Sequence, residues 1–518
     1  MATDRRDGAR AALEAAAAAG VAVCFANPGT TELPLVRALD RVPAIRPVLC
    51  LHENVATGAA DGYGRLAERP ALALLHTGPG LANGMANLHN ARKGRSPVVT
   101  LVGDHASWHR PADPPLAMAV EAAARTVADA VLTVRRAEDA PFWMAEAVAL
   151  ARGAGGRVVA VVFPHDHQLA ATDATADPRP PEPLRPVREE PVARAAAALR
   201  AARRPLLLLD GAGLHGAGLA AAGRVAAATG ATLAAPTGFR RLRTGRGLPP
   251  LVRVPYFPER AQEFFDAFDL VVLAGARDPV AFFGLPDRPS RFLASHPGRL
   301  PLAAPGDDVT AALEALADAL AAPPAVAAPA VEPPPAPTGS LDPERLAAAC
   351  ARAVAAEGVV VLTAVSSSWP FSRLAAAAAP HEEIALTGGV VGAGSALAVG
   401  AALARPGVRV LHLEADGSLA YLPAALWTQA REGLPVTTVV CANRRYRILE
   451  LELARAGTSP GPATRALTRL EDPAPDWVAV ARGFGVPGVR VETAEDLAAA
   501  LARAAADDGP FLIEALLP

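Results

Sequence analysis

Cysteine is scarce and scattered in this chain. Cys24, Cys50, Cys350 and Cys441 are spread over 518 residues without a CxxC pair, which leaves neither a zinc ribbon nor a disulfide framework to build on. Charge of one sign is also lacking: the formal net charge is −2 and no long basic run occurs, so no nucleic-acid partner is expected. No uninterrupted apolar segment reaches the ~20 residues of a membrane span, so no membrane partner is expected either. The opening residues, MATDRRDGARAALEAAAAAG, put charges before an Ala-rich helical pattern, without the apolar core of a secretory leader. A reducing cytoplasm is the expected location. No repeat appears at a period of roughly 20–50 residues. Asp210-Gly211-Ala212-Gly213 is a glycine turn after an apolar run but lacks the downstream acidic partner of a dinucleotide fingerprint, which disfavours dinucleotide binding.

What is present is enough apolar material, 51% of the residues, for several cores, and a length that suggests three domains of ~150 residues each. The first, residues 1–165, alternates helices with short apolar runs at 21–26, 48–51, 71–75, 98–102 and 158–162, a parallel βα pattern whose last strand is expected to close the sheet. These runs end at Asn27-Pro28-Gly29, His52-Glu53, His76 and Gly103-Asp104-His105. Thr30 or Thr31 could cap a helix beginning near Glu32. A polar, Pro-rich linker spans 166–192. A second α/β unit, 190–320, carries runs at 206–209 and 270–273. An extended, stiff Pro/Ala linker, 322–339, follows. The third unit, 340–518, looks similar to the first and has strands at 359–362 and 511–515.

The stretch 409–443, RVLHLEADGSLAYLPAALWTQAREGLPVTTVVCAN, is a β-α-β unit. One strand ends at Asp416-Gly417-Ser418, the next at Asn443. Open α/β sheets bind ligands outside the carboxyl ends of their strands. A carboxylate and an amide carbonyl there are hard oxygens that suit Mg²⁺. Taken alone, Asp416 could equally be an ordinary helix N-cap.

Asp-Gly-Ser followed by Asn443, 27 residues after Asp416, resembles the G-D-G-S…N signature of thiamine diphosphate (ThDP) enzymes, with Ala415 in place of the first glycine. The likeness extends through ANPGTTELP, LHENVATGAADGYGR, LLHTGPGLANGMANLHNA, LTGGVVGAGSALAVGAALA and ANRRYRILELELARAG. It is closest to acetolactate synthase large-subunit-like proteins, with benzoylformate decarboxylase a near cousin. The resemblance implies two ThDP-binding parallel-sheet domains flanking a Rossmann-like central domain. Glu53 would bond the pyrimidine N1′ of ThDP. Val391 would wedge the cofactor into its bent form, and the carbonyl of Val390 or Gly389 would accept from the 4′-amine. Asn27, Pro28 and Gly29 would line the cofactor site. Ser366, Ser367, Gly417 and Ser418 would meet the diphosphate. Asp416, Asn443 and the backbone carbonyl of Arg445 would hold Mg²⁺. His76 would act on the substrate, with His105 facing the same pocket. His52, pointing away from Glu53, reads as structural.

The implied reaction is decarboxylation of a 2-oxo acid. Either addition to a second carbonyl, as in acetolactate synthesis, or protonation to an aldehyde would follow. A ThDP-binding protein of weak activity that serves as a partner is the alternative of another class. The two ThDP-binding domains would come from different copies of the chain, in a dimer or a dimer of dimers. Departures are present too. Phe282-Phe283 stand where the decarboxylases carry a second histidine, and Asp104-His105-Ala106 replaces the Gln-Val-Pro of acetolactate synthases. Leu362-Thr363 is less acidic than the family's usual pattern. The basic stretch expected to contact FAD is not found, so FAD is doubtful.

Overall fold

The computed structural model describes residues 6–286, 288–324 and 331–518. The first five residues of the opening segment read above for a leader, and 325–330 of the Pro/Ala linker, lie outside the described residues.

The apolar runs form the strands. In the first domain these are β1 (Val23–Asn27), β2 (Arg46–Leu49), β3 (Ala71–Leu75), β4 (Val98–Asp104), β5 (Ala130–Thr133) and β6 (Val158–Pro164). They make one parallel sheet in the order β2-β1-β3-β4-β6-β5. β3, β4 and β6 are buried along their whole length, as strands covered by helices on both faces must be. The strand at 158–162 does not close the sheet as expected. β5 does, a half-buried run of four residues too short to stand out against Asp129 and Arg135-Arg136.

The middle domain contributes β7 (Pro205–Leu209), β8 (Thr232–Ala235), β9 (Leu242–Thr244), β10 (Val252–Arg253), β11 (Leu270–Ala274) and β12 (Arg299–Ala303). Five of them form a sheet in the order β10-β8-β7-β11-β12. β9 instead joins the third sheet. That sheet also holds β13 (Gly358–Thr363), β14 (His381–Ala385), β15 (Val410–Ala415), β16 (Val436–Ala442), β17 (Gly488–Val491) and β18 (Phe511–Leu516), in the order β17-β18-β16-β15-β13-β14-β9. β9 runs antiparallel to β14, with Arg243 opposite Glu382. The exchange follows from charge. Glu382 is buried, and Arg241, next to β9, grips its carboxylate through two bonds of 2.8 Å. Burial alone would push that carboxyl up, but the Arg241 bonds hold it below the ordinary range.

The first and third domains meet through the helices Glu53–Ala67 and Gly394–Ala404. A Cβ on Gly62 would strike the carbonyl of Leu397, and one on Gly400 the carbonyl of Ala59. Small residues on both helices let the backbones touch, and one apolar core runs continuously across the two domains.

Candidate active site

Residues from four neighbouring segments gather at the carboxyl end of the first sheet. β1 ends in Asn27, and Pro28-Gly29 carry the chain into a short turn of helix, Thr30–Glu32. No threonine side chain caps it. The Glu32 carboxylate does, accepting from the Gly29 N–H at 2.9 Å. β3 ends before His76, whose Nδ1 lies 2.7 Å from Glu32 Oε2. Glu53 opens its helix, and His52 caps it by accepting from the Asn54 N–H at 3.0 Å, a structural role as read. Glu53 is not a solvent-facing helix-start acid. It is buried, its Oε2 accepts from Asn83 at 3.1 Å, and Gly80 keeps the space between Glu53 and His76 free of a side chain.

His105 follows β4, the neighbour of β3. Its ring stacks edge-on to His109, 5.9 Å between centroids, and its Nε2 is buried without a partner. Among the described residues no hydrogen bond joins it to His76. The adjacent Asp104 is buried, and burial pushes its carboxyl up despite Arg110 at 3.3 Å.

The second gathering is at the carboxyl end of the third sheet. Asp416 and Asn443 end the adjacent parallel strands β15 and β16. Asp416 is buried. Its oxygens accept from the N–H groups of Gly417 at 2.8 Å and Arg444 at 2.6 Å, and burial raises its carboxyl to about 6. A buried carboxylate in no salt bridge among the described residues, beside the amide oxygen of Asn443, fits a divalent cation. The Asn443 Oδ1 accepts from the Arg445 N–H at 3.1 Å. An isolated antiparallel bridge pairs Arg445 with Arg469 through the Arg444 carbonyl and the Tyr446 N–H, so the Arg445 carbonyl takes no part in it. Gly417 packs on the Tyr446 ring, and Ser418 is buried. After β13, Val365 takes φ +45° and turns the chain into Ser366-Ser367-Ser368.

The loop 387–392 lies between the two gatherings. Gly389 and Gly392 have φ of +76° and +85°. Val390 and Val391 between them are only half-buried, so they are not core packing. The Asn90 side chain clamps the loop, donating to the Val390 carbonyl at 3.0 Å and accepting from its N–H at 3.2 Å. That leaves the Gly389 carbonyl the freer of the two expected acceptors. A ring edge of Phe282, from the middle domain, stands 2.7 Å from where a Cβ on Gly389 would be. Hydrogen bonds between the first and third domains pass through Arg65, Asn90, Thr387 and Val390 among others. Among the described residues none uses Glu53 or His76.

A cavity of about 530 Å³ separates the middle domain from the first, and Arg95, Asp210, His215, Arg240, Arg277 and Phe282 are among its lining residues. The basic groups absent from any one stretch are thus brought together by folding. Glu32, Asn83 and Asn90 were missed by the sequence reading. Glu32 lies inside a motif that was singled out, but its apparent place at a helix start concealed its contact with His76.

Two family models match the chain: Thiamine pyrophosphate enzyme, N-terminal TPP binding domain, over residues 6–124, and its C-terminal TPP binding domain counterpart over 369–515. The chain is 41% identical over 524 residues to a Mycobacterium tuberculosis protein named "Putative acetolactate synthase large subunit IlvX", with 99% of both chains covered. It is 27% identical over 542 residues to benzoylformate decarboxylase of Pseudomonas aeruginosa, covering 96% of each. In fold it is similar to the thiamine diphosphate-dependent 4-hydroxybenzoylformate decarboxylase of Rhodococcus jostii RHA1, with a TM-score of 0.85 over 99% of each chain at 24% identity.

Proposed function

The chain belongs to the thiamine diphosphate enzymes, and on that premise we propose that it decarboxylates a 2-oxo acid with Mg²⁺ and joins the product to a second carbonyl, as an acetolactate synthase does. The observation that carries this reading is the Glu53 carboxylate, buried at a helix start, bonded to Asn83 and facing a space kept open by Gly80. The bound cofactor supplies the carbon that takes up the charge left when CO₂ departs.

The chain's own residues hold and orient it. Glu53 bonds the pyrimidine N1′, the Gly389 carbonyl accepts from the 4′-amine, and half-buried Val391 offers the apolar wedge. Asn27, Pro28 and Gly29 border the pyrimidine side. Asp416, Asn443 and the Arg445 carbonyl hold Mg²⁺, and Ser366, Ser367, Gly417 and Ser418 receive the diphosphate. His76 moves the substrate proton from the end of β3, with His105 behind the neighbouring strand end. Glu53 bonds nothing in the third domain of its own chain among the described residues, which supports a second copy completing the site, in a dimer or tetramer.

Joining is favoured over aldehyde release by Phe282, because an apolar ring beside the cofactor loop has no proton to donate. Simple decarboxylation of the benzoylformate decarboxylase type is the second reading, favoured by His76, which can supply that proton.

Purified protein incubated with ThDP, Mg²⁺ and pyruvate or benzoylformate, with Glu53→Gln as control, tests this. Acetolactate from pyruvate, lost in the variant, supports joining. Free aldehyde moves the assignment to the second reading. Cofactor binding without CO₂ release from a panel of 2-oxo acids refutes both and leaves a ThDP-binding partner protein.

A further inference from the structure

We infer that Glu32 is the positioning residue for His76: its buried carboxylate fixes the ring with the proton on Nδ1, so that Nε2 is the nitrogen presented to the substrate. This rests on the role proposed for His76.

Three donors converge on the Glu32 carboxylate. His76 Nδ1 is 2.7 Å from Oε2, the Gly29 N–H reaches Oε2 at 2.9 Å, and the Thr77 N–H reaches Oε1 at 3.3 Å. An ionised carboxylate only accepts, so the ring nitrogen facing it carries the hydrogen, and the other is left free for exchange with a ligand. Burial is divided to match. The Glu32 side chain is 0% exposed, whereas that of His76 is 25% exposed, an anchored base with an accessible ring.

The seat for this pair is carved out of backbone. A Cβ on Gly29 would collide with the His76 ring, and a Cβ on Gly103 with Glu32 Oε1. Neither glycine has a positive φ, so close approach is what requires it. Thr77 takes φ +52°, a costly conformation for a β-branched residue, and in it aims its N–H at Glu32. A carboxylate that merely closed the turn at Gly29 would need neither the second glycine nor the strained threonine.

The wild-type full chain, labelled with ¹⁵N-histidine and assigned with His76→Ala, gives the first readout without turnover. His76 is expected as the Nδ1-protonated tautomer, and an Nε2-protonated ring overturns the inference. Glu32→Gln cannot accept from all three donors, so the tautomer should become mixed. With a turned-over 2-oxo acid, kcat should fall about 100-fold while KM stays within about threefold.

The decisive comparison is in the His76→Ala background, where Glu32→Gln should change kcat by less than about twofold. Multiplying losses would mean that Glu32 acts on the fold and not through His76. If Glu32→Gln does not fold, Glu32→Asp takes its place in the cycle, and the wild-type spectrum stands alone as a test. Absence of turnover on every 2-oxo acid would sink the proposed function, yet the tautomer would still decide this inference.

Discussion

Replacing Arg65 with Met should separate the stability of this protein from its grip on the cofactor. Arg65 and Asp61 lie one turn apart on the helix Glu53–Ala67, with side chains 0% and 1% exposed. The guanidinium forks onto the carboxylate through bonds of 2.7 and 2.6 Å. It also donates to the Ala385 carbonyl at 2.6 Å and to Thr387 Oγ1 at 3.1 Å, which pins the start of the 387–392 loop. Losing Arg65 strands a buried carboxylate, at a cost of about 3–5 kcal/mol. Replacing both partners, Asp61→Ala with Arg65→Met, removes the stranded charge and should return to near wild-type stability, but the loop anchors stay lost. A chain of several domains has no single unfolding free energy, so amide exchange on this helix is the appropriate assay. The single variant should exchange roughly 10²- to 10⁴-fold faster at its slowest amides. The double variant should come back to within about tenfold, yet bind ThDP more weakly in a fluorescence titration. A single variant within tenfold of wild type, or a double variant as labile as the single, would refute the reasoning.

Asp416 carries a pH prediction. Its carboxyl sits at about 6 in the folded chain against an ordinary 3.8, because of burial. The folded state therefore disfavours the anion, and this penalty of about 3 kcal/mol is present in full above about pH 6, shrinks as pH falls below that value and is gone only below about 3.8. Mg²⁺ needs the anion, so calorimetry should find its affinity dropping below about pH 6; a flat profile between about pH 5 and 7 counts against Asp416 as a ligand. Phe282, tilted against Tyr256 with 5.1 Å between ring centroids and beside Gly389, should matter more to large substrates. Phe282→Ala is expected to raise KM for benzoylformate about tenfold and leave pyruvate within about twofold, and equal effects on both would remove Phe282 from the substrate wall. The four cysteines are all buried and free. Burial pushes Cys24 and Cys350 up to about 12, and Cys50 and Cys441 up as well. A thiol reagent should find none of them in the native protein and all of them after denaturation; fast native labelling would contradict their placement.

Strands buried on both faces were legible because apolar residues make up most of each, as in β3, β4, β13, β15 and β16. β14 was not, since HEEIA reads as a polar segment although every residue in it is buried. Its charges are neutralised by partners distant in sequence or on its own strand: Arg241 holds Glu382, and His381 lies 3.2 Å from Glu383. β9 was hidden for the reciprocal reason, being three residues that pair outside their own domain. At the site, residues at strand ends carried their own signal, because open α/β sheets bind their ligands outside the carboxyl ends of the strands. Glu32 and Asn90 carried none. Each acts on a residue far away in the chain, His76 and Val390, and only the folded backbone brings the pairs together.

Backbone strain ties the two gatherings to one design. Several non-glycine residues with positive φ, such as Glu68 and Arg95, are helix C-caps, where that conformation is ordinary. Thr77, Val365 and Arg444 are not. Each lies just past the carboxyl end of a strand, immediately beside His76, Ser366 or Asn443. Such residues cost about 1–3 kcal/mol apiece and persist only where something holds them. In two of the three cases the holder is a buried acid: the Thr77 N–H points to Glu32 at 3.3 Å and the Arg444 N–H to Asp416 at 2.6 Å. The acids are therefore clamps on the backbone as well as charges. Alanine at either position releases the strained turn and removes the carboxylate together, so the resulting loss of activity cannot be assigned to charge. The amide variants keep one acceptor for the clamp, and only they separate the two roles.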